Sequence, residues 1–293
     1  MTYTWQSGSE SWKKQVANPL PSLNPAEINS KSSQEWSARI IQKIIINCGP
    51  CQAYIAKSLS VLKAQTNTEW EAYVTVDPYG DNTFAMATET KGDDERITIT
   101  YNDQRLYSMA NLVRAIGRSS AQPEDVIVIL DGDDWFYTKD ALQIIADTYS
   151  GSDCWMTYGS WVSNVPHMAG KLPAYPEGTT DFRNAEWLAT GVRTWKKWLW
   201  DLIDDKDFRN ESGEYFSVVE DLAVMFPMLE MSGTTRAKHI PEVLMLYNRA
   251  NPACVGNTQR EEMERVAQYL RSKPRYHALT TKPADIVEVP PIY

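Results

Sequence analysis

The sequence contains no long apolar run. Across 293 residues, no stretch approaches the ~20 consecutive apolar residues that a helix needs to span a membrane. No apolar segment of the signal-peptide type is visible near the first residues either. These absences predict a soluble, cytoplasmic protein without a membrane span.

Cysteine and positive charge are also scarce. Four Cys in a chain of this length do not make a disulfide framework. The formal net charge is -9, whereas a duplex-binding protein usually carries a basic face, so generic nucleic-acid binding is disfavoured. The chain is instead 43% hydrophobic and contains 11 Trp, which is enough for a large core and is compatible with an oligomer interface.

The order of predicted elements indicates the fold class. Residues 1–36, rich in Ser, Asn, Pro and Gln, predict an irregular arm. Apolar patterns then predict strands at 40–46, 72–76, 96–100 and 126–130, with helices at 53–65, 106–116 and 140–149. Strands that alternate with helices favour an α/β fold with a doubly wound, mostly parallel sheet.

The pattern changes in the second half of the chain. Residues 161–190 hold several Pro and Gly and predict a long excursion of the kind that is often functional. Further elements are predicted at 194–203 (helix), 218–231 (helix with a stop at Gly233), 239–247 (strand) and 260–272 (helix).

The most informative segment is 127–135, where four apolar residues stop at Asp131, Asp133 and Asp134. In open α/β sheets, ligands bind in the crevice at the carboxyl ends of the strands. Three like charges this close repel one another, so a divalent metal that carries phosphates is a natural partner. The segment predicts the metal–diphosphate site of a sugar-nucleotide enzyme. The alternative is a strand followed by an acidic turn, because Asp-Gly is a common turn pair.

A competing signal is Cys48-Gly49-Pro50-Cys51, which follows a predicted strand and precedes a predicted helix. That context is typical of a thioredoxin-like redox motif. Asn47 stands where thioredoxins have Trp, and the following helix lacks their Pro. A redox function would also leave the Asp cluster unexplained.

Several short motifs follow one another in a fixed order. They are Asn47, 54–62 with Gln65-Thr66, Trp70-Glu71, Val76-Asp77, 81–83, Asn102, Asn111, 130–134, 220–223 with 226–230, and 239–244 with Tyr247-Asn248. In this order they resemble the family 2 glycosyltransferases of the GT-A fold, over roughly residues 40–250. The stretch from 193 to 252 is similar to a bacterial and viral branch, and for a viral member the cytoplasm would be the host's.

The resemblance implies how a donor would be held. Asp131 and Asp133 match the family's metal motif, whose carboxylates suit Mn²⁺ or Mg²⁺ on the donor's diphosphate. Asp77 matches the carboxylate that accepts a hydrogen bond from the nucleotide base, although Pro78 replaces the family's second acidic residue there. The implied donor-binding set is Asp77, Asn47, Asp131, Arg105 and Asn111.

The resemblance also implies a catalytic base. Asp221 matches the carboxylate that removes the acceptor hydroxyl's proton, with Glu220 as the second choice. A carboxylate favoured by the helix dipole is the alternative for Asp221. His239 is the candidate third metal ligand, since imidazole suits Mn²⁺ and the family's usual His is missing from 248–251. The alternative for His239 is an ordinary strand residue.

The resemblance finally implies a division of the chain and a reaction. The chain would divide into the arm at 1–36, a nucleotide-sugar-binding half at 37–160, an acceptor-binding and catalytic half at 161–255, and a helix and tail at 256–293. The predicted activity is inverting transfer from a nucleotide diphosphate sugar, with a UDP-sugar favoured, to a hydroxyl of a glycan, a protein or a modified base. A GT-A carbohydrate-binding module without chemistry and a thiol–disulfide oxidoreductase are the alternatives.

Overall fold

The apolar runs of the sequence form the strands of one sheet. The computed structural model describes residues 40–166, 169–253 and 258–284, so the predicted arm at 1–36 lies outside the described residues. The strands within those ranges are β1 Gln42–Cys48, β2 Trp70–Val76, β3 Ile97–Tyr101, β4 Val126–Asp131, β5 Trp135–Phe136, β6 Met156–Ser163, β7 Ala169–Gly170, β8 Arg193–Lys196 and β9 Ala237–Tyr247.

The strand order is β3-β2-β1-β4-β8-β6-β9-β5, with β7 paired to β6. The first four strands in this order are parallel, as the βαβ pattern predicts. β8 runs antiparallel to both β4 and β6. β1 is buried along its whole length, which explains its nearly continuous apolar sequence. Its register places Asn47 beside Asp131, so both lie at the carboxyl edge of the sheet.

Helices cover both faces of this sheet. They are α1 Ile55–Lys63, α2 Thr83–Lys91, α3 Tyr107–Arg118, α4 Ala141–Ser150, α5 Lys197–Asp201, α6 Glu220–Arg236 and α7 Arg260–Ser272, with a 3₁₀ turn at Asp205–Phe208. Apolar side chains of α1 and α4, such as Leu59 and Ile145, pack in one core with Ile44 and Ile46. Side chains of α3, α6 and α7 pack in a second core that contains Ile45. Adjacent β1 residues thus serve opposite faces, as strand geometry requires.

Two predicted boundaries differ from the structure. The helix predicted at 194–203 is shorter, because Arg193–Lys196 is taken into the sheet as β8 and only Lys197–Asp201 is helical. The stop predicted at Gly233 is a break rather than an end: Gly233 has φ 58°, and the chain continues in helical form to Arg236. In the described ranges, no helix combines the length and apolar character that crossing a membrane requires.

Candidate functional site

A cavity of about 540 Å³ opens at the carboxyl ends of β1, β2 and β4. It brings together eight of the nine residues predicted for function: Asn47, Asp77, Arg105, Asn111, Asp131, Asp133, Glu220 and Asp221. His239 is the exception. Strand ends from the first half of the chain and the start of α6 from the second half therefore meet at one site.

The Asp cluster forms a turn at the end of β4. The Gly132 N–H donates to Asn47 O at 2.9 Å, and the Asp134 N–H donates to Asp131 O at 3.0 Å. Burial and the charges of Glu220 and Asp133 raise the pKa of Asp131 to about 7. Burial and its two neighbouring Asp residues likewise raise the pKa of Asp134. Negative charges in the cluster thus repel one another, and a bound cation would reduce that repulsion.

A loop after β9 holds this cluster from the other side. The Asn248 N–H donates to Asp134 Oδ1 at 2.8 Å, and Asn251 Nδ2 donates to Asp133 Oδ2 at 2.7 Å. Asn251 was not predicted, because nothing in its local sequence indicates a partner 118 residues away. The loop thus donates amide hydrogen bonds to carboxylate oxygens of the cluster.

A second pair of carboxylates enters the cavity at the start of α6. Ser108 Oγ donates to Glu220 Oε2 at 2.9 Å, and Arg193 Nη1 lies 3.1 Å from Asp221 Oδ2. Burial and the Asp221 charge raise the pKa of Glu220. The preceding residue, Val219, has φ 58° and ψ 31°, a left-handed conformation that is unfavourable for a β-branched side chain. Such strain is concentrated at functional sites, and Val219 lines the cavity together with Glu220 and Asp221.

The carboxylate oxygens of Asp77 accept hydrogen bonds from other residues of the protein. Its two oxygens accept hydrogen bonds from the Leu106 and Tyr107 N–H groups and from Asn102 Nδ2, at 2.8–3.1 Å. Asn102 Nδ2 also donates to Asn111 Oδ1 at 2.8 Å. A carboxylate has about four lone-pair sites, so Asp77 in this state fixes the 102–108 loop and has little capacity left for a base.

Arg105 is exposed at the mouth of the cavity between two tyrosines. Its guanidinium carbon lies 4.1 Å from the Tyr79 ring centroid and 5.1 Å from that of Tyr107. Tyr107 has φ 62°, a conformation held by the bond from its N–H to Asp77. The two tyrosines were not predicted, because their proximity depends on the fold of the loop.

His239 is the one predicted metal ligand that does not line this cavity. It pairs with Tyr158 in the register of β6 and β9, and its ring centroid lies 5.5 Å from that of Tyr158. The β9 residues that line the cavity are Met245 and Tyr247. Between His239 and Met245, β9 shifts register against β6, so Met245 pairs with Trp161, three residues beyond Tyr158. His239 is not among the residues that line the cavity around Asp131 and Asp133.

Cys48 and Cys51 are free, buried thiols directly beneath the Asp cluster. A Cβ atom added to Gly132 would lie 2.6 Å from Cys48 Sγ and 2.9 Å from Cys51 Sγ. A hydrogen bond with Cys51, burial and nearby negative charge, including Asp133, raise the pKa of Cys48. A redox motif needs the opposite shift, since the thiolate is the reactive form. The two sulfurs therefore pack against Gly132, which explains why glycine stands between Asp131 and Asp133.

Replacing Gly132 tests this packing. We expect Gly132→Ala to lower the free energy of unfolding by about 1–3 kcal/mol, as overpacking does, and to weaken ligand binding at the Asp cluster. In a Cys48→Ala/Cys51→Ala background the same change should cost much less, because the sulfurs no longer occupy the space. Urea denaturation of the four proteins measures the coupling. Equal costs in both backgrounds would contradict the packing role.

The residues present fit a hard divalent cation without forming a complete protein cage. Across residues 40–166, 169–253 and 258–284, no group of three or more His, Cys, Asp and Glu is arranged to hold a metal ion. The oxygen-rich, negatively charged cluster nevertheless has the donor chemistry of a Mg²⁺ or Mn²⁺ site. Mg²⁺ in particular is often bound through one or two carboxylates and substrate phosphates.

Structural comparison identifies the fold. It matches S. aureus TarS 1–349 in complex with UDP-GlcNAc, with a TM-score of 0.60, 15% identity, and coverage of 79% of this chain and 65% of that one. It also matches the mannosyltransferase PcManGT from Pyrobaculum calidifontis in complex with GDP-Man and Mn²⁺, with a TM-score of 0.54, 16% identity, and coverage of 82% and 66%. At these identities the likeness shows the fold, which is GT-A.

Sequence comparison supplies the family. No curated protein matches the chain. The family model described as Glycosyl transferase family 2 matches residues 44–200, which is more than half of the chain and includes β1, β4 and the Asp cluster. The chain therefore belongs to glycosyl transferase family 2.

Proposed function

We propose that the chain is an inverting glycosyltransferase that moves a sugar from a nucleotide diphosphate donor, with a UDP-sugar favoured, to an acceptor hydroxyl. The observation that carries the proposal is the meeting of two carboxylate groups in one cavity: Asp131 and Asp133 at the end of β4, and Glu220 and Asp221 at the start of α6. The first group suits a metal-bound diphosphate, and the second suits proton removal. The similar structures bound to UDP-GlcNAc and GDP-Man support the donor class.

In this reaction each carboxylate group has its own task. Asp131 and Asp133 would hold a divalent ion, which when bound stabilises the negative charge that develops on the leaving diphosphate. Asp221 takes the proton of the acceptor hydroxyl while the hydroxyl oxygen attacks the anomeric carbon. The bond from that carbon to the diphosphate oxygen breaks, and its electron pair leaves with the nucleotide. Attack opposite the leaving group inverts the anomeric configuration.

The sites of donor and acceptor follow the division of the chain. We assign donor binding to 37–160, because Asn47, Asp77, Arg105 and Asn111 line the cavity from that side. We assign acceptor binding to 161–255, where Trp161 and Tyr247 line the same cavity with ring centroids 5.3 Å apart. The acceptor chemistry stays open among a glycan, a protein and a modified base.

Thermal stability in the presence of ligands tests the donor site. We expect one nucleotide sugar, a UDP-sugar by preference, to raise the melting temperature only with Mn²⁺ or Mg²⁺, since a ligand that binds the native state stabilises it. Asp133→Ala should remove that rise. Lys196→Met, on a strand that leads away from the cavity, should retain it. An unchanged metal-dependent rise in Asp133→Ala would place the metal elsewhere.

The same experiment separates the enzyme from a binding module that has kept the fold and lost its chemistry. Either protein would be stabilised by the donor, so the wild type is also incubated with metal, the stabilising donor and a hydroxyl acceptor, which is water unless a glycan or a protein is added. Release of the nucleoside diphosphate supports the enzyme. Stabilisation without release favours the binding module.

A further inference from the structure

Arg193 is a basic side chain placed inside a site dominated by negative charge. Among the described residues, the charged side chains that line the cavity are Asp77, Asp131, Asp133, Asp134, Glu220, Asp221, Arg105 and Arg193. Arg105 is exposed at the mouth and stacks on Tyr79, whereas the Arg193 side chain is only 17% exposed. Arg193 is therefore the interior cation of this cavity.

The fold places Arg193 on the strand beside β4 and pairs it with the carboxylate group at the start of α6. It lies on β8 opposite Ile129, two residues before β4 ends at Asp131. Its Nη1 is 3.1 Å from Asp221 Oδ2 at the start of α6. Arg193 thus pairs directly with Asp221, while its strand lies beside the strand that ends in the Asp cluster.

The electrostatics of the neighbours agree with this position. Burial by itself would lower the pKa of Arg193, but Asp221, Glu220, Asp131 and Asp134 together raise it. In return, Arg193 opposes the increase in pKa that burial and the Asp221 charge impose on Glu220. One guanidinium therefore compensates carboxylates of both groups.

We propose that Arg193 is a positioning residue that aims Asp221 through its ion pair and serves as the built-in counter-cation of the carboxylate cluster. This inference rests on the proposed function for its catalytic part. Because Arg193 supplies positive charge where a divalent ion would bind, it stabilises the metal-free protein and also weakens the ion's affinity. Arg rather than Lys suits the role, since it keeps its charge when buried.

The first test is a stability cycle on metal-free protein in chelator. We expect Arg193→Met to lower the melting temperature by several degrees, and Asp131→Asn to recover part of that loss, because one uncompensated charge is then removed. Lys196→Met is the matched control: it lies on the same strand, has a side chain 19% exposed, and pairs at 2.7 Å with Glu124. Its effect should be the same with and without Asp131→Asn.

The second test is binding of Mn²⁺ alone, measured by electron paramagnetic resonance. Loss of a nearby positive charge should tighten Mn²⁺ binding about tenfold in Arg193→Met. Arg193→Lys should keep an affinity close to the wild type. In turnover, Arg193→Met should lose kcat with little change in the donor KM, and Arg193→Lys should restore part of kcat. An arginine with only a structural role would not lower kcat while leaving the donor KM nearly unchanged.

The outcomes distinguish this inference from the proposed function. A wild type that neither binds Mn²⁺ nor turns over any nucleotide sugar overturns the proposed function, and the stability cycle then still decides on the counter-cation. If Asp131→Asn does not reduce the loss of melting temperature caused by Arg193→Met, the inference is overturned. If Arg193→Met does not fold, Asp131→Asn alone decides: a raised melting temperature of the metal-free protein supports the inference, and a lowered one overturns it.

Discussion

Asp221→Asn is expected to reduce sugar transfer by about 10²–10⁴-fold, the usual contribution of a positioned general base. Asn keeps the size of the side chain but cannot accept the acceptor's proton. Donor binding should be nearly intact, because Asp221 lies at the start of α6 whereas the predicted metal motif ends β4. Steady-state kinetics should therefore show a loss of kcat with a donor KM close to that of the wild type.

Glu220→Gln is the matched control for this assignment. Glu220 is the neighbouring carboxylate, and Ser108 holds it by a hydrogen bond at 2.9 Å. A smaller loss in Glu220→Gln than in Asp221→Asn supports Asp221 as the base. Loss of donor binding with residual transfer in Asp221→Asn would contradict the assignment, and a larger loss in Glu220→Gln would move the role to Glu220.

Glu230→Ala is expected to destabilise the protein by about 3–5 kcal/mol, because it leaves the Arg183 guanidinium buried without its partner. The two side chains are 2% and 4% exposed and form a bidentate pair at 2.6 and 2.9 Å. Arg183 also donates to Leu270 O in α7, and Glu230 accepts from the Tyr276 N–H. The pair thus ties the C-terminal segment to α6.

A double replacement separates the pair's net effect from the cost of breaking it. Arg183→Met/Glu230→Leu removes both charges and fills part of the space, so it should cost much less than Glu230→Ala. The free energy of unfolding in urea measures each variant. A loss in Glu230→Ala below about 1 kcal/mol, the value typical of surface pairs, would show that the pair is not buried in solution.

The sequence was sufficient for the parts of the fold that depend on local pattern. β1 and β4 are buried on both faces, so their apolar runs are nearly unbroken and predict strands directly. Asp131 and Asp133 can be identified as a candidate metal motif because they come directly after such a strand. Asp221 can be identified as a candidate base because it stands beside Glu220 directly before an apolar helix.

The remaining features depend on contacts that sequence position does not reveal. Asn251 meets Asp133 from 118 residues away, and Arg193 meets Asp221 only because 193–196 joins the sheet as a strand. His239 was predicted as a third metal ligand because imidazole suits Mn²⁺ and the family's usual His is missing, but it does not line the cavity. Asp77, predicted to bind the nucleotide base, lines the cavity, but its hydrogen bonds to the 102–108 loop could not be predicted from the chain.

Release of nucleoside diphosphate from a panel of nucleotide sugars, with Mn²⁺, Mg²⁺ or chelator, tests the central claim most directly. The proposed reaction requires metal-dependent release from one donor in the wild type, with loss of release in both Asp133→Ala and Asp221→Asn. These two residues lie in one cavity but on different elements, so their joint effect is specific to the proposed site. Full metal-dependent release by Asp133→Ala and Asp221→Asn would contradict the assignment of this cavity as a transferase active site.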